Sequence, residues 1–281
     1  MRTVRTAAGL TDAISAWKAA GAQIAFVPTM GALHEGHLSL IGLARRSAPR
    51  VVASIFVNPT QFAPHEDLAS YPRHPERDAA LLGRAGCDLL FIPDRDTVYP
   101  EGFGTWIDPQ GAARGLESAI RPHFFRGVAT VVARLFTLVR PEFAVFGEKD
   151  AQQLAVVRQL VRDFALPIEI LGGPIVREAD GLAMSSRNAY LSSAERQRAA
   201  RLFGALGVAK GLYGKGERRS EVLIEAVMKE ITVDPEIALQ YVEVVDPETF
   251  SPVSEIQQRA IVALAAKLGE TRLIDNIRLE D

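Results

Sequence analysis

The chain has 281 residues, 48% of them hydrophobic, with 34 acidic and 32 basic side chains and a net charge of −2. That length holds one large domain or two, at ~100–200 residues per domain. The apolar share excludes disorder as the default, and the near balance of charge argues against a nucleic-acid-binding surface as the main business, leaving room only for a local basic patch.

The single cysteine, Cys87, excludes an internal disulfide and fits a reducing compartment. Its place beside an apolar run marks it as a small buried residue rather than a reactive thiol. No apolar run approaches the ~20 residues a membrane helix needs, and the N-terminus lacks the apolar core of a signal peptide. The expectation is a cytoplasmic protein with neither membrane nor nucleic acid among its partners.

The first expected element is a helix capped near Thr11 and closed by Gly21. A buried strand over 24–27 follows, broken by Pro28 and Gly31, and then a helix opened by His34, Gly36 and His37 and ending near Arg46. Further strands are expected over 51–57, 89–92, 143–146 and 168–171, with helices over 73–86, 128–139 and 151–164 between them. Buried apolar strands spaced by helices imply a parallel sheet covered on both faces. The stretch 94–127 shows no clear period and is rich in Gly, Pro and charge; it is expected to be a loop over the site, with short strands in it.

After Val176 the character changes. One long helix is expected over 192–212, a glycine turn at Gly214 and Gly216, a second helix over 220–231, and strands over 239–245, 260–266 and 273–277. The fold class read from this pattern is α/β, with a parallel-sheet N-terminal domain over 1–176 and a smaller α+β C-terminal domain over 177–281.

Four segments carry chemistry. His34 and His37 stand three apart where the first βα turn opens its helix, so both rings fall on one face. Free backbone N–H groups and the positive helix end lie at the same place, which suits a polyphosphate. Zinc is the rival reading, but a catalytic zinc site usually takes three protein ligands, and the spacing misses the His-Glu-x-x-His pattern. Glu35, between the two, reads as solvent-facing or structural.

Asn58 and Gln61 end the next strand around Pro59 and offer amide donors and acceptors to a small hydroxylated acid, or simply cap a turn. Lys149 and Asp150 follow a second strand and glycine turn, with Gln153 one turn on; a lysine there suits phosphate. Met184-Ser-Ser-Arg187 joins the two halves and reads either as a triphosphate clasp or as a polar linker. There is no Walker-A loop, no Gly-x-Gly-x-x-Gly opening a helix and no nucleophilic triad.

Together, Pro28-Thr-Met-Gly-Ala-Leu-His34-Glu-Gly-His37, Val57-Asn-Pro-Thr-Gln61-Phe, Phe146-Gly-Glu-Lys149-Asp150-Ala-Gln-Gln153-Leu and Met184-Ser-Ser-Arg187-Asn resemble the pantoate–β-alanine ligase family. The resemblance extends over nearly the whole chain, through Tyr241-Val-Glu-Val-Val-Asp246 and Thr271-Arg-Leu-Ile-Asp-Asn276. His-x-Gly-His alone would indicate only the wider nucleotidyltransferase group.

The resemblance implies a Rossmann-like N-terminal domain and a smaller domain closing over ATP. It implies condensation of (R)-pantoate with β-alanine, with ATP cleaved to AMP and diphosphate through a pantoyl-adenylate. It also implies Mg²⁺ carried by the ATP phosphates, a cytoplasmic homodimer and a place in coenzyme A biosynthesis. By matching positions, Met30, Gly31, Ala32, Leu33, His34, Glu35, Gly36, His37, Gly147, Glu148, Lys149, Asp150, Val176, Met184, Ser185, Ser186 and Arg187 would line ATP. Gln61 and Gln153 would hold pantoate, with Gln61 also near β-alanine, and Asn58 is expected beside them. His37 would be the proton donor, with His34 and Lys149 as its catalytic partners; no protein metal site is expected. The chain departs from the family at Phe124, where a histidine commonly stands; His123 is the only histidine nearby. Rival functions are an adenylyl- or cytidylyltransferase, a tRNA synthetase and a nucleotide-binding regulator without chemistry.

Overall fold

The structure, a computed structural model, describes residues 1–64 and 66–280. Six strands, β1 (Arg2–Val4), β2 (Ile24–Thr29), β3 (Arg50–Ile55), β4 (Leu89–Phe91), β5 (Phe143–Gly147) and β6 (Glu169–Gly173), form a parallel sheet in the order β1-β4-β3-β2-β5-β6. Between them run α1 (Ala7–Ala19), α2 (Glu35–Ser47), α3 (Pro75–Arg84), α4 (Arg95–Val98), α5 (Glu117–Ile120), α6 (Phe124–Val139) and α7 (Ala151–Asp163).

The period-2 alternation of the central strand splits its side chains between two cores. Ile24 and Phe26 pack with α1, α6 and α7. Ala25 and Val27 pack with α2 and α3. From β2 the chain steps outward through β3 to β4, then returns to lay β5 and β6 on the other side of β2. The order therefore reverses between β2 and β5, and the carboxyl ends of those two strands open the crevice where α/β sheets take ligands.

A second, antiparallel sheet holds β7 (Ile237–Val245), β8 (Arg259–Leu268) and β9 (Thr271–Glu280) in that order. Val244, Val262, Leu264 and Leu273 on one face pack under α9 (Arg201–Gly214) and α10 (Ser220–Thr232). Val245, Ile261 and Ala263 join the core of the first domain instead, together with Phe250. The fold is α/β in two domains, as the strand and helix pattern predicts, and β9 lies against the mouth of the crevice.

Pro28 does not break the second strand, which pairs through Pro28 and Thr29 with β3, and four further local expectations need correction. The first helix starts earlier: Thr6 is its cap, its Oγ1 accepting from Gly9 N at 3.2 Å, because the Ala7-Ala-Gly-Leu10 run already buries Leu10. The edge strand β1 is a sixth strand that the pattern does not show, since three residues carry no legible period. The stretch 94–127 holds short helices and a 3₁₀ turn at Gly111–Ala113, with no strand among the described residues. Its carbonyls at Ala112 and Arg114 accept from the amide of Gln152 on α7. The long helix over 192–212 breaks at Ala200 into α8 (Ser193–Ala199) and α9. Arg196 of α8 reaches Glu178 and Asp180 while Leu202 and Leu206 of α9 pack on the sheet, so the two segments serve different partners.

Candidate active site

A cavity of about 710 Å³ lies over the carboxyl ends of β2 and β5. The turn after β2 supplies Met30, His34, Gly36 and His37 to its wall, and the turn after β5 supplies Gly147, Lys149 and Asp150.

The imidazole pair is built by a reciprocal cap. His34 is the N-cap of α2, and its Nδ1 accepts from Gly36 N at 3.2 Å. His37, at the third helical position, returns its own Nδ1 to His34 N at 3.4 Å. An added Cβ at Gly36 would stand 2.9 Å from the His34 ring, so only glycine lets that ring fold back. With both Nδ1 atoms spent as acceptors, a neutral ring carries its proton on Nε2. The ring centroids are 4.1 Å apart. Two such rings present two Nε2–H donors to one place.

Their charge state follows from the surroundings. Burial lowers the His34 pKa to about 4, helped by the Lys149 cation. Burial lowers His37 to about 3, helped by His34 and then Lys149. Both rings are therefore neutral at pH 7. Below pH 6.5 the unfolded chain takes up protons that the folded chain refuses, so stability falls as pH drops from 6.5 toward 3. The pair should cost on the order of several kcal/mol by the low end of that range. Histidine NMR titration should find both rings flat through pH 6.5, and a polyphosphate anion should move both transitions upward. Two rings titrating near 6.5 in the free protein would contradict this geometry.

The turn carrying His34 is held from behind. Asp78 on α3 is buried, and its carboxylate accepts Ala32 N at 2.8 Å and Leu33 N at 3.0 Å. Gly31 and Ala32 both sit at positive φ, +85° and +50°. Gly31, Ala32 and Leu33 thus form the wall behind the rings and do not line the cavity. Glu35 is exposed and outside it, and Glu148 turns away to Arg278 at 3.1 Å. Asp78 has no sequence signal of its own; an acid in the first turn of a helix reads as an ordinary dipole partner.

Gln61 and Gln153 line the cavity, but Asn58 does not. Asn58 is 1% exposed. Its Nδ2 donates to Gln61 Oε1 at 2.8 Å and to Gly127 O at 3.2 Å. Its Oδ1 accepts from the Tyr99 hydroxyl at 2.9 Å and the Thr60 hydroxyl at 3.0 Å. With all its groups committed, Asn58 orients Gln61 so that the Gln61 amide N–H₂ is left for the cavity; the expectation that it touches a ligand is withdrawn. Gly127 makes this arrangement possible, because a Cβ there would stand 2.6 Å from Thr60 O. Gly127→Ala should destabilise the fold by about 1–3 kcal/mol and loosen binding of an acid at Gln61, read from thermal melts and substrate titration. An unchanged melt would remove that role from Gly127.

The third group of predicted residues also converges here. Val176, Met184, Ser185, Ser186 and Arg187 all line the cavity. Ser186 Oγ donates to Ala32 O at 3.0 Å, tying the linker to the wall behind the rings. Arg187 is already engaged: its Nε and Nη2 reach Asp67 at 3.1 and 2.9 Å. Phe124 lines the cavity under the Arg121 guanidinium, 3.9 Å above its ring, whereas His123 lies outside it.

Several groups at the rim have no signature in a one-dimensional reading. Glu117, buried on α5, accepts both Nη atoms of Arg272 at 2.7 and 2.6 Å and the Tyr241 hydroxyl at 2.7 Å, which clasps the second domain to the first. Arg121 pairs with Glu66 at 2.6 Å. Among the described residues no cluster of three or more His, Cys, Asp or Glu could hold a metal ion. Cys87 is buried and burial raises its thiol to about 11, so it is inert. No helix is long and apolar enough to cross a membrane among the described residues.

Comparison with known proteins gives the family of the chain. The pantoate-beta-alanine ligase family profile matches residues 2–278. The chain belongs to the pantoate–β-alanine ligase family. Among its relatives, the pantothenate synthetase of Moorella thermoacetica is 48% identical over 280 residues, covering 100% of this chain and 99% of the relative. That of Heliobacterium modesticaldum is 51% identical over 260 residues, 92% of each. Of solved structures, the pantothenate synthetase of Thermus thermophilus superposes with a TM-score of 0.93 at 49% identity over 99% of both chains. The pantoate-beta-alanine ligase of Francisella tularensis, complexed with beta-gamma ATP and beta-alanine, gives 0.81 at 32% identity over 99% of this chain and 97% of that one. Both domains of this ligase fold are thus present in one chain.

Proposed function

We propose that the enzyme condenses (R)-pantoate with β-alanine at the expense of ATP, releasing AMP and diphosphate through a pantoyl-adenylate. The observation that carries the reading is the capped imidazole pair, His34 and His37, lining one cavity with Lys149 at the sheet's reversal point. A carboxylate does not react with an amine at neutral pH, because its leaving group is too poor. Attack of the pantoate carboxylate oxygen on the α-phosphorus forms a P–O bond, and diphosphate leaves with the electrons of the bond it breaks. The β-alanine nitrogen then attacks the acyl carbon, loses a proton, and AMP departs. No protein nucleophile is needed; the protein positions reactants and stabilises charge.

In this reading His34 and His37 donate hydrogen bonds to phosphate oxygens as charge moves toward diphosphate, and His37, neutral at the outset, is the donor nearest the departing group. Lys149 and Ser185 meet the outer phosphates; Ser186 joins them by releasing Ala32 O, and Arg187 by leaving Asp67. Met30, Gly36, Gly147, Asp150, Val176 and Met184 complete the nucleotide wall, with Gly31 to Leu33 supporting it. Gln61 and Gln153 fix pantoate. Mg²⁺ carried by the ATP phosphates would supply charge neutralisation there, beside Lys149 and the serines.

The proposed division into domains falls at 176/177, beside the linker that closes the site and keeps water from the adenylate. A homodimer in the cytoplasm is the matching assembly, supported by the family resemblance and the unpaired buried thiol. The test is pantoate-dependent exchange of labelled diphosphate into ATP without β-alanine. Exchange is the expected result; its absence, or exchange independent of pantoate, would overturn the reading. A nucleotide-transferring relative would instead release a stable nucleotide adduct and no free AMP.

A further inference from the structure

We propose that Asn276, on β9 of the second domain, is a positioning residue for Lys149, held in place by the Arg177–Asp275 pair; the inference rests on the adenylation role of Lys149 proposed above. The Asn276 Nδ2 donates to two successive carbonyls, Glu148 O and Lys149 O, at 3.0 Å each. The amide is nearly closed off from solvent, at 4% exposure. Those carbonyls belong to the 3₁₀ turn Glu148–Asp150, and neither that turn nor the start of α7 has a side-chain cap of its own. The brace on the backbone that carries Lys149 therefore comes from the other domain.

Asn276 is itself locked. Arg177 grips Asp275 with two hydrogen bonds, 2.7 and 2.9 Å, and donates to Asn276 O at 3.1 Å. The Asp275 carboxylate accepts Asn276 N at 2.7 Å. Arg177 also donates to Gly181 O at 3.0 Å, inside the hairpin whose bridge pairs Arg177 with Ala183 just before Met184. One cluster thus fixes both the Lys149 turn and the root of the 184–187 segment.

Lysine is a point charge on a flexible stem, so its aim depends on where its backbone stands. A misplacement of ~1 Å can cost roughly 10²-fold in rate. Asparagine is suited to this place because its one amide nitrogen carries two N–H donors. An aspartate here would set a carboxylate against two carbonyl oxygens, and an alanine would take the cross-domain donor away from both carbonyls.

The test is single-turnover pantoyl-adenylate formation in the full-length enzyme, with a double-mutant cycle. Asn276→Ala is expected to slow the step by roughly 10–100-fold with the KM for ATP changed only a few-fold. In a Lys149→Ala background the same substitution should add almost nothing, because the group it aims is gone. Asn276→Asp, isosteric and free of a cavity, carries the same expectation should Asn276→Ala melt early. A wild-type rate in either folded variant would overturn the proposal, and so would full multiplication of the two losses in the double variant, which is the signature of a merely structural brace. The wild-type rate, measured first, reports on the adenylation reading by itself.

Discussion

His37→Ala should slow adenylate formation by roughly 10²–10⁴-fold while the fold persists. The size follows from what the ring supplies. It presents one Nε2–H donor in a partly enclosed site, where a hydrogen bond to developing phosphate charge gains more than in water. Its structural work is small: one long cap bond to His34 N at 3.4 Å. Losing a cap costs about 0.5–2 kcal/mol, so the variant should still fold. The loss should fall on the rate constant rather than on the KM for ATP, because the donor matters most as diphosphate departs. Rapid-quench single turnovers separate the two, and a near-normal rate would remove His37 from the mechanism.

Lys149→Ala should slow the same step by roughly 10²–10³-fold and should also change the imidazoles. The Lys149 cation is one of the causes that depress both His34 and His37. Removing it lets each ring hold a proton at higher pH, so both titrations should move up from about 4 and about 3. Burial remains the larger cause for both, so neither should reach 6.5. The paired outcome tests the site's layout twice, once by kinetics and once by NMR in the absence of any substrate. A slow enzyme with unmoved histidines would place Lys149 away from the rings.

The sequence is legible where short-range pattern decides structure. Apolar runs with glycine or proline stops mark five of the six parallel strands, and the His34-Glu-Gly-His37 spacing places two rings on one helix face. What escapes a linear reading is of two kinds. Short elements with a single buried residue, such as β1 and α5, print no period. Contacts between distant segments leave no local mark at all. Asp78 meets Ala32 and Leu33 across 46 and 45 positions. Arg272 meets Glu117 across 155.

Asn58 shows a subtler failure. An amide at a strand end reads equally as ligand contact or turn cap, and only its partners show that Gln61 holds the free donor. Phe124 is the converse, since the structure sets its ring in the cavity wall under Arg121 and leaves His123 outside.

The most direct test of the account follows the oxygen. Pantoate labelled with ¹⁸O in both carboxylate positions, turned over with ATP and β-alanine, should transfer one labelled oxygen to AMP and keep the other in the amide carbonyl of the product. AMP free of label, or label in inorganic phosphate instead, would mean that the carboxylate never attacked the α-phosphorus, and the paired imidazoles would need another purpose.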